Sequence, residues 1–151
     1  MRELNELCAT ELAPRLASRA LRALDVVEAC LARIAARDGE VHAWAHCVPE
    51  QARDRARSLD AGPVLGPLHG LPQGVKDIID TADLPTEYGS PIYAGHRPTT
   101  DAACVAIARA AGAVLLGKTA TAELATFTPA ATVNPRNFAH TPGGSSSGSA
   151  S

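Results

Sequence analysis

Two stretches hold residue types that do chemistry. The first is GVKDIID, residues 74–80, where Lys76 stands among Val75, Ile78 and Ile79. An ammonium taken out of water loses the hydration that favours its charged form, so a lysine in a buried strand is a candidate proton acceptor. The simpler reading of the strand alone is a lysine that snorkels from the strand end or pairs with Asp77 or Asp80. The second stretch is TPGGSSSGSAS, residues 141–151, with five serines, three glycines and one proline in eleven positions. Set beside that loop, Lys76 gains a different meaning. A lysine that takes a proton and a hydroxyl that relays it are the parts of a serine nucleophile system that uses no histidine.

Other matches are weaker. GAVLLGKT, residues 112–119, fits the phosphate-loop pattern G-x-x-x-x-G-K-[ST]. Its context argues against nucleotide binding, because the four intermediate residues Ala-Val-Leu-Leu are strand-like rather than loop-like and a helix precedes Gly112. His42 and His46 would share one face of a strand, yet a metal pair there lacks a third ligand nearby. Cys8, Cys30, Cys47 and Cys104 are scattered, with no CxxC pair, so the expectation is reduced, mostly buried thiols rather than a zinc site or a disulfide framework.

The elements that must position Lys76 and the serines read as an α/β pattern. Apolar residues at Leu21, Leu24, Val27, Leu31 and Ile34 recur at three- and four-residue steps, which predicts a helix closed by Gly39. An earlier helix is expected over Glu3 to Leu12, VHAWAHCV reads as a strand, and Pro49 opens a polar-faced helix. Gly and Pro residues make Ala61 to Pro72 an irregular joint. After it, GVKDIID and AVLLG are short strands, DAACVAIARAAG is a helix with Thr100 or Asp101 as N-cap and Gly112 past its last turn, and TATAELA begins another helix. The long stretches between Asp80 and Asp101 and between Phe127 and Ser145 exceed ordinary connections, and long ordered loops commonly carry function. Strands alternating with helices predict an α/β fold with a mainly parallel or mixed sheet flanked by helices. The expected division is a helical scaffold over residues 1–62 and part of an α/β core over 63–151.

Composition agrees with one globular domain, or part of a larger one, rather than with a binding protein for polyanions. Of the 151 residues, 46% are apolar and 20% charged, enough for one core. The formal net charge is −2, with signs interspersed, so neither direct nucleic-acid binding nor a polybasic membrane contact is expected. The N-terminal run MRELNELCATELAPRL carries acidic residues where a secretion signal needs an apolar core, and no segment approaches the roughly 20 apolar residues of a membrane span. The expectation is a cytoplasmic protein.

Three ordered blocks carry a family resemblance: GPLHGLPQGVKDIIDTADLPTEYGS, then GAVLLGKTATAE, then NPRNFAHTPGGSSSGSAS. In this order they resemble the N-terminal blocks of the amidase signature family, nearest in pattern to bacterial malonamidase-like enzymes. The resemblance implies that fold and a hydrolase that cleaves carboxylic amides to acid and ammonia through a Ser, cis-Ser, Lys triad, with no metal or organic cofactor. It implies that Lys76 is the ultimate base and that Ser145 is the bridging serine, joined to Gly144 by a cis peptide, a bond rare outside proline. Gly143 and Gly144 would serve by letting backbone crowd closely. Ser146 and Ser147 would support the loop or wall the substrate pocket. The implied nucleophile belongs to a second Gly-Gly-Ser block beyond Ser151, so the chain corresponds to the N-terminal third of a family member and is expected to lack activity by itself. The implied partners are a small-molecule amide and, for the full-length enzyme, a second copy in a homodimer. The same blocks also fit the amidase component of a glutamyl- or aspartyl-tRNA amidotransferase, and a truncated remnant or binding module without chemistry is the non-enzymatic alternative.

Overall fold

A computed structural model of the chain describes residues 2–151. Helices α1 (Ala9–Ala17), α2 (Ala23–Val41) and α3 (Pro49–Ala61) dominate the N-terminal part, with strand β1 (Trp44–Cys47) between α2 and α3. Strand β2 (Pro72–Lys76), helix α4 (Ala103–Ala110), strand β3 (Val114–Thr119) and the short helix α5 (Ser147–Ala150) follow. The sheet order is β1-β3-β2, so the last strand in sequence is central. β1 runs antiparallel to β3, pairing Trp44 with Thr119 and Cys47 with Gly117. On the other edge Val114 N–H donates to Leu71 O and Asp77 N–H to Thr119 O, a register that advances along both strands and is therefore parallel. The sheet is mixed and the fold is α/β, as the alternation predicts.

The chain divides into two compact units. The first holds residues through Ala36, Val48–Gln73 and Ala106–Leu116. Its core is aliphatic: Leu12, Leu16, Val26, Val27, Leu31 and Leu59 are buried with the first residues of β3. Here α2 starts on a carboxylate from another helix, since Asp60 accepts the Ala23 and Leu24 N–H groups at 2.7 and 3.1 Å and satisfies two of the donors a helix start leaves open. The second unit holds Arg37–Cys47, Gly74–Val105 and Gly117–Ser151. Its interior is more polar, with Asp77, Thr81, Thr86, Lys118 and Thr121 buried beside Val75, Leu84 and Ala122.

Several local expectations change. The first helix begins at Ala9, after a single 3-10 turn over Leu4–Glu6, because Glu11 returns to bond the Cys8 N–H at 2.8 Å and fixes the start there. α2 runs through Gly39 to Val41 and is followed by His42, which adopts φ 55° while Asp38 Oδ1 accepts the Ala43 N–H at 2.7 Å. His42 therefore lies outside β1 and shares no strand face with His46. β2 begins two residues earlier than GVKDIID and ends on Lys76, where the Lys76 carbonyl accepts the Ile78 and Ile79 N–H groups and bends the chain away. TATAELA forms only a 3-10 turn over Glu123–Ala125, with Leu124 at φ 49° and Ala125 at φ 55°. Gly112 does end α4, at φ +95°. Cys8 and Cys104 are exposed and Cys30 and Cys47 half-buried, so the thiols are not mostly buried as expected; none forms a disulfide.

Candidate active site

The end of β2 and the loop before α5 bring the two chemical stretches together. Lys76 Nζ donates to Ser145 Oγ at 2.7 Å, across 69 residues of sequence. Lys76 is half-buried, and its neighbours explain why the ion pairs open to it on paper do not form. Asp77 is engaged elsewhere, 3.3 Å from Lys118 Nζ, and Asp80 accepts the Tyr88 hydroxyl at 3.2 Å.

Ser145 is joined to Gly144 by a cis peptide, and its backbone is held from β3 outward. Ser145 O accepts the Ala122 N–H at 2.8 Å, and the Thr121 hydroxyl reaches the same oxygen at 3.1 Å. Gly148 N–H donates to Ala120 O at 2.9 Å, while Thr119 Oγ1 and Ser149 Oγ lie 3.1 Å apart. The serine loop is thus tied to the end of β3 and the three residues that leave it. Ser147 is buried, whereas Ser146 precedes α5 and offers its carbonyl to the Ser149 and Ala150 N–H groups. Gly143, Gly144, Ser145 and Ser147 line part of a cavity of about 210 Å³; Ser146 does not.

The crowding expected at the paired glycines is elsewhere. A β-carbon on Gly143 would meet nothing within 4 Å, and one on Gly144 only Ser147 Oγ at 3.6 Å. Gly143 instead supplies φ +96°, which disfavours any residue with a side chain. The tight position is Gly148, where a β-carbon would stand 2.0 Å from Ala43 O and 2.5 Å from Ala120 N.

Sequence reasoning missed a buried ion pair that includes Asp77, the residue after Lys76. Lys118 is the largest fully buried side chain, and its Nζ reaches Thr86 Oγ1 at 2.5 Å, Ile79 O at 2.9 Å and Pro85 O at 3.3 Å besides Asp77. Asp77 also accepts the Glu87 N–H at 3.2 Å. Burial, the largest influence on each, pushes the Asp77 carboxyl up and the Lys118 amine down, against the attraction of each for the other. The signal was available: a lysine inside the apolar run AVLLGKT needs a buried acceptor, and an aspartate inside VKDII needs a buried donor. The same geometry removes the phosphate-loop reading, since Val114 to Lys118 are strand and the lysine is spent internally. Among the described residues no group of three or more His, Cys, Asp and Glu is placed to hold a metal ion.

What this arrangement can do is pass a proton between a hydroxyl and an amine in direct contact. The comparisons with known proteins show the family. The amidase family model matches residues 25–151, most of the chain and both halves of this contact. The chain belongs to the amidase family.

Among amidase relatives, a component of the glutamyl-tRNA(Gln) amidotransferase of Salinispora arenicola is 44% identical over 162 residues, covering 99% of this chain and 33% of its own. The peptide amidase from Stenotrophomonas maltophilia superposes with TM-score 0.86 at 36% identity, over 95% of this chain and 33% of that one. A solved fatty acid amide hydrolase gives TM-score 0.86 at 27% identity, over 96% and 27%. This amidase chain therefore spans about a third of the length of the curated relatives it matches. No described helix is long and apolar enough to cross a membrane.

Proposed function

We propose that this chain supplies the base and the bridging serine of an amide hydrolase, with the nucleophilic serine carried by sequence outside these 151 residues. The observation that carries the reading is the 2.7 Å contact between Lys76 Nζ and Ser145 Oγ, held by β2 on one side and by the residues leaving β3 on the other. Lys76 serves as the proton acceptor of the relay. As the nucleophile attacks the amide carbonyl, its proton moves to Ser145 Oγ, and the Ser145 proton moves to Lys76 Nζ. When the tetrahedral intermediate collapses, the C–N bond breaks and the proton returns through Ser145 to the leaving nitrogen. The acyl-enzyme formed is then cleaved by water, which releases the acid and restores the nucleophile. Gly143, Gly144 and Ser147 wall the substrate cavity, and Ser146 shapes the turn into α5. The substrate is a small-molecule amide. Four cysteines with no disulfide suit a reducing, cytoplasmic setting.

The test uses the full-length protein and a panel of primary amides. Replacing Lys76 by Ala is expected to lower kcat/KM by about 10³-fold or more, and Ser145→Ala by about 10²-fold or more, the scale of a lost acid–base group. Activity of Lys76→Ala within a few-fold of the parent would refute the assignment.

A second reading is favoured by the 44% identity to an amidotransferase component. In it the same Lys76 and Ser145 release ammonia for partner proteins, which would hold the RNA that a chain of net charge −2 is not built to grip. Co-purification with two further proteins, and hydrolysis confined to glutamine or asparagine, would select it over a stand-alone amidase.

A further inference from the structure

Lys118 takes no part in the proposed relay, yet it is the largest fully buried side chain. A buried ion pair is weak grounds for stability, because apolar side chains of similar volume often do as well, so a lysine here asks for another reason. Its contacts supply one. The shorter ones are not to the carboxylate: Nζ donates to Thr86 Oγ1 at 2.5 Å and to Ile79 O at 2.9 Å, whereas Asp77 Oδ1 and Pro85 O both stand at 3.3 Å. All of these acceptors belong to residues 77–86, the stretch that directly follows Lys76.

That stretch begins where β2 stops being held by its sheet. Beyond the bond from Asp77 N–H to Thr119 O at 2.9 Å, the chain leaves in a tight turn, in which Lys76 O accepts the Ile78 N–H at 2.8 Å and the Ile79 N–H at 3.0 Å. Lys76 is the residue on which the turn closes. Lys118 Nζ takes up the far end of that turn at Ile79 O, and its bonds to Pro85 O and Thr86 Oγ1 tie the same ammonium to the chain that returns. Asp77 balances the buried charge and adds a hold on the Glu87 N–H at 3.2 Å. Val75 and Asp77, on either side of Lys76, are both buried. The backbone of Lys76 is thus fixed from the strand before it and from the ammonium after it, and its own side chain meets Ser145 Oγ. Consecutive residues of one chain segment serve both partners, since Ala120, Thr121 and Ala122 hold the serine loop.

We propose that Lys118 is a positioning residue for the base: its ammonium clamps the turn Lys76–Ile79 and so sets the direction in which Lys76 presents Nζ to Ser145. This rests on the amide-hydrolase reading above and extends it to a residue outside the relay. The lysine of the phosphate-loop pattern then has a use that involves no phosphate.

The experiment uses the full-length protein and its Lys118→Met, Lys118→Met/Asp77→Asn and Leu31→Ala variants. Urea midpoints, kcat and KM on one neutral amide, and hydrogen–deuterium exchange of the peptide covering residues 74–80 are measured for each. The double variant is expected to regain part of the stability that Lys118→Met loses, yet to keep a kcat about tenfold or more below the parent with KM within about twofold, because a displaced base slows chemistry without weakening ground-state binding. Exchange in residues 74–80 should quicken by about tenfold or more in both Lys118 variants. Leu31→Ala, which opens a cavity in the core of the first unit, should lose stability and keep kcat within a few-fold. A double variant with parental kcat overturns the proposal, as does a loss confined to KM. So does a kcat that falls with stability in Leu31→Ala as steeply as in Lys118→Met, which would make Lys118 a packing residue. Unchanged exchange in the turn overturns the clamp whatever the activity. Faster exchange in a protein whose parent turns over no amide would retire the hydrolase reading and leave the clamp standing.

Discussion

At Lys118 an ammonium with no exposed surface faces a carboxylate that is equally hidden, and the residue next to that carboxylate is Lys76. The pair keeps Asp77 from being an unbalanced charge behind the site. Lys118→Met removes one partner and strands the other, so the free energy of unfolding should fall by about 3–5 kcal/mol, and adding Asp77→Asn should recover part of it; urea titration of the single and double variants checks this. Glu87 makes a separate prediction. Its carboxyl is held below the ordinary glutamate value of 4.5, chiefly by the Gly95 N–H and also by His46, 3.0 Å away. Because the folded value is depressed, the unfolded chain binds more protons at acid pH, so the contribution is complete above 4.5 and is lost as pH falls through the folded value. The stability difference between the parent and Glu87→Gln should therefore be larger at pH 7 than at pH 3.5 by urea midpoint. At this scale Lys76 and the serines could be singled out because chemistry restricts their types, and the structure brings Lys76 and Ser145 into contact. Lys118 was legible only in part: its place in an apolar run calls for a buried acceptor, but periodicity carries no information that the acceptor is Asp77, 41 residues earlier in the chain.

Elements carry the next layer of constraint. β3 is central and buried at every position, and the residues leaving it hold the serine loop, so the geometry of the Lys76–Ser145 contact depends on how closely that loop approaches the strand end. Gly148 makes the approach possible. Gly148→Ala is expected to cost about 1–3 kcal/mol in stability from overpacking, and to lower kcat/KM by about tenfold or more by shifting Ser145 away from Lys76. A variant with parental stability and activity would show that the loop is not seated on Ala43 and Ala120. Helix and strand interiors were readable from apolar spacing, and Pro49 and Gly112 marked real boundaries. The failures lie where particular hydrogen bonds, local or long-range, decide. Asp38 and His42 end α2 beyond Gly39, Glu11 delays α1, and the bonds to Tyr88 and Thr128 turn TATAELA away from the helix that its alanines and leucine favour.

Across the whole molecule, family membership and a lysine–serine contact are the two observations on which the proposed relay rests. One is the match over residues 25–151; the other is a hydrogen bond between residues 69 apart whose surroundings are explained by their own packing. The chain spans a third of its curated relatives, which makes the assembled enzyme the proper object of the decisive test. That test is the kcat/KM of the full-length protein and its Lys76→Ala and Ser145→Ala variants on one neutral amide, with folding of each variant verified by circular dichroism. The account expects folded variants that lose about 10³-fold and 10²-fold, with the double variant little worse than Lys76→Ala because the two groups act in one relay. Folded variants that retain activity within a few-fold, or that lose it additively, would contradict it.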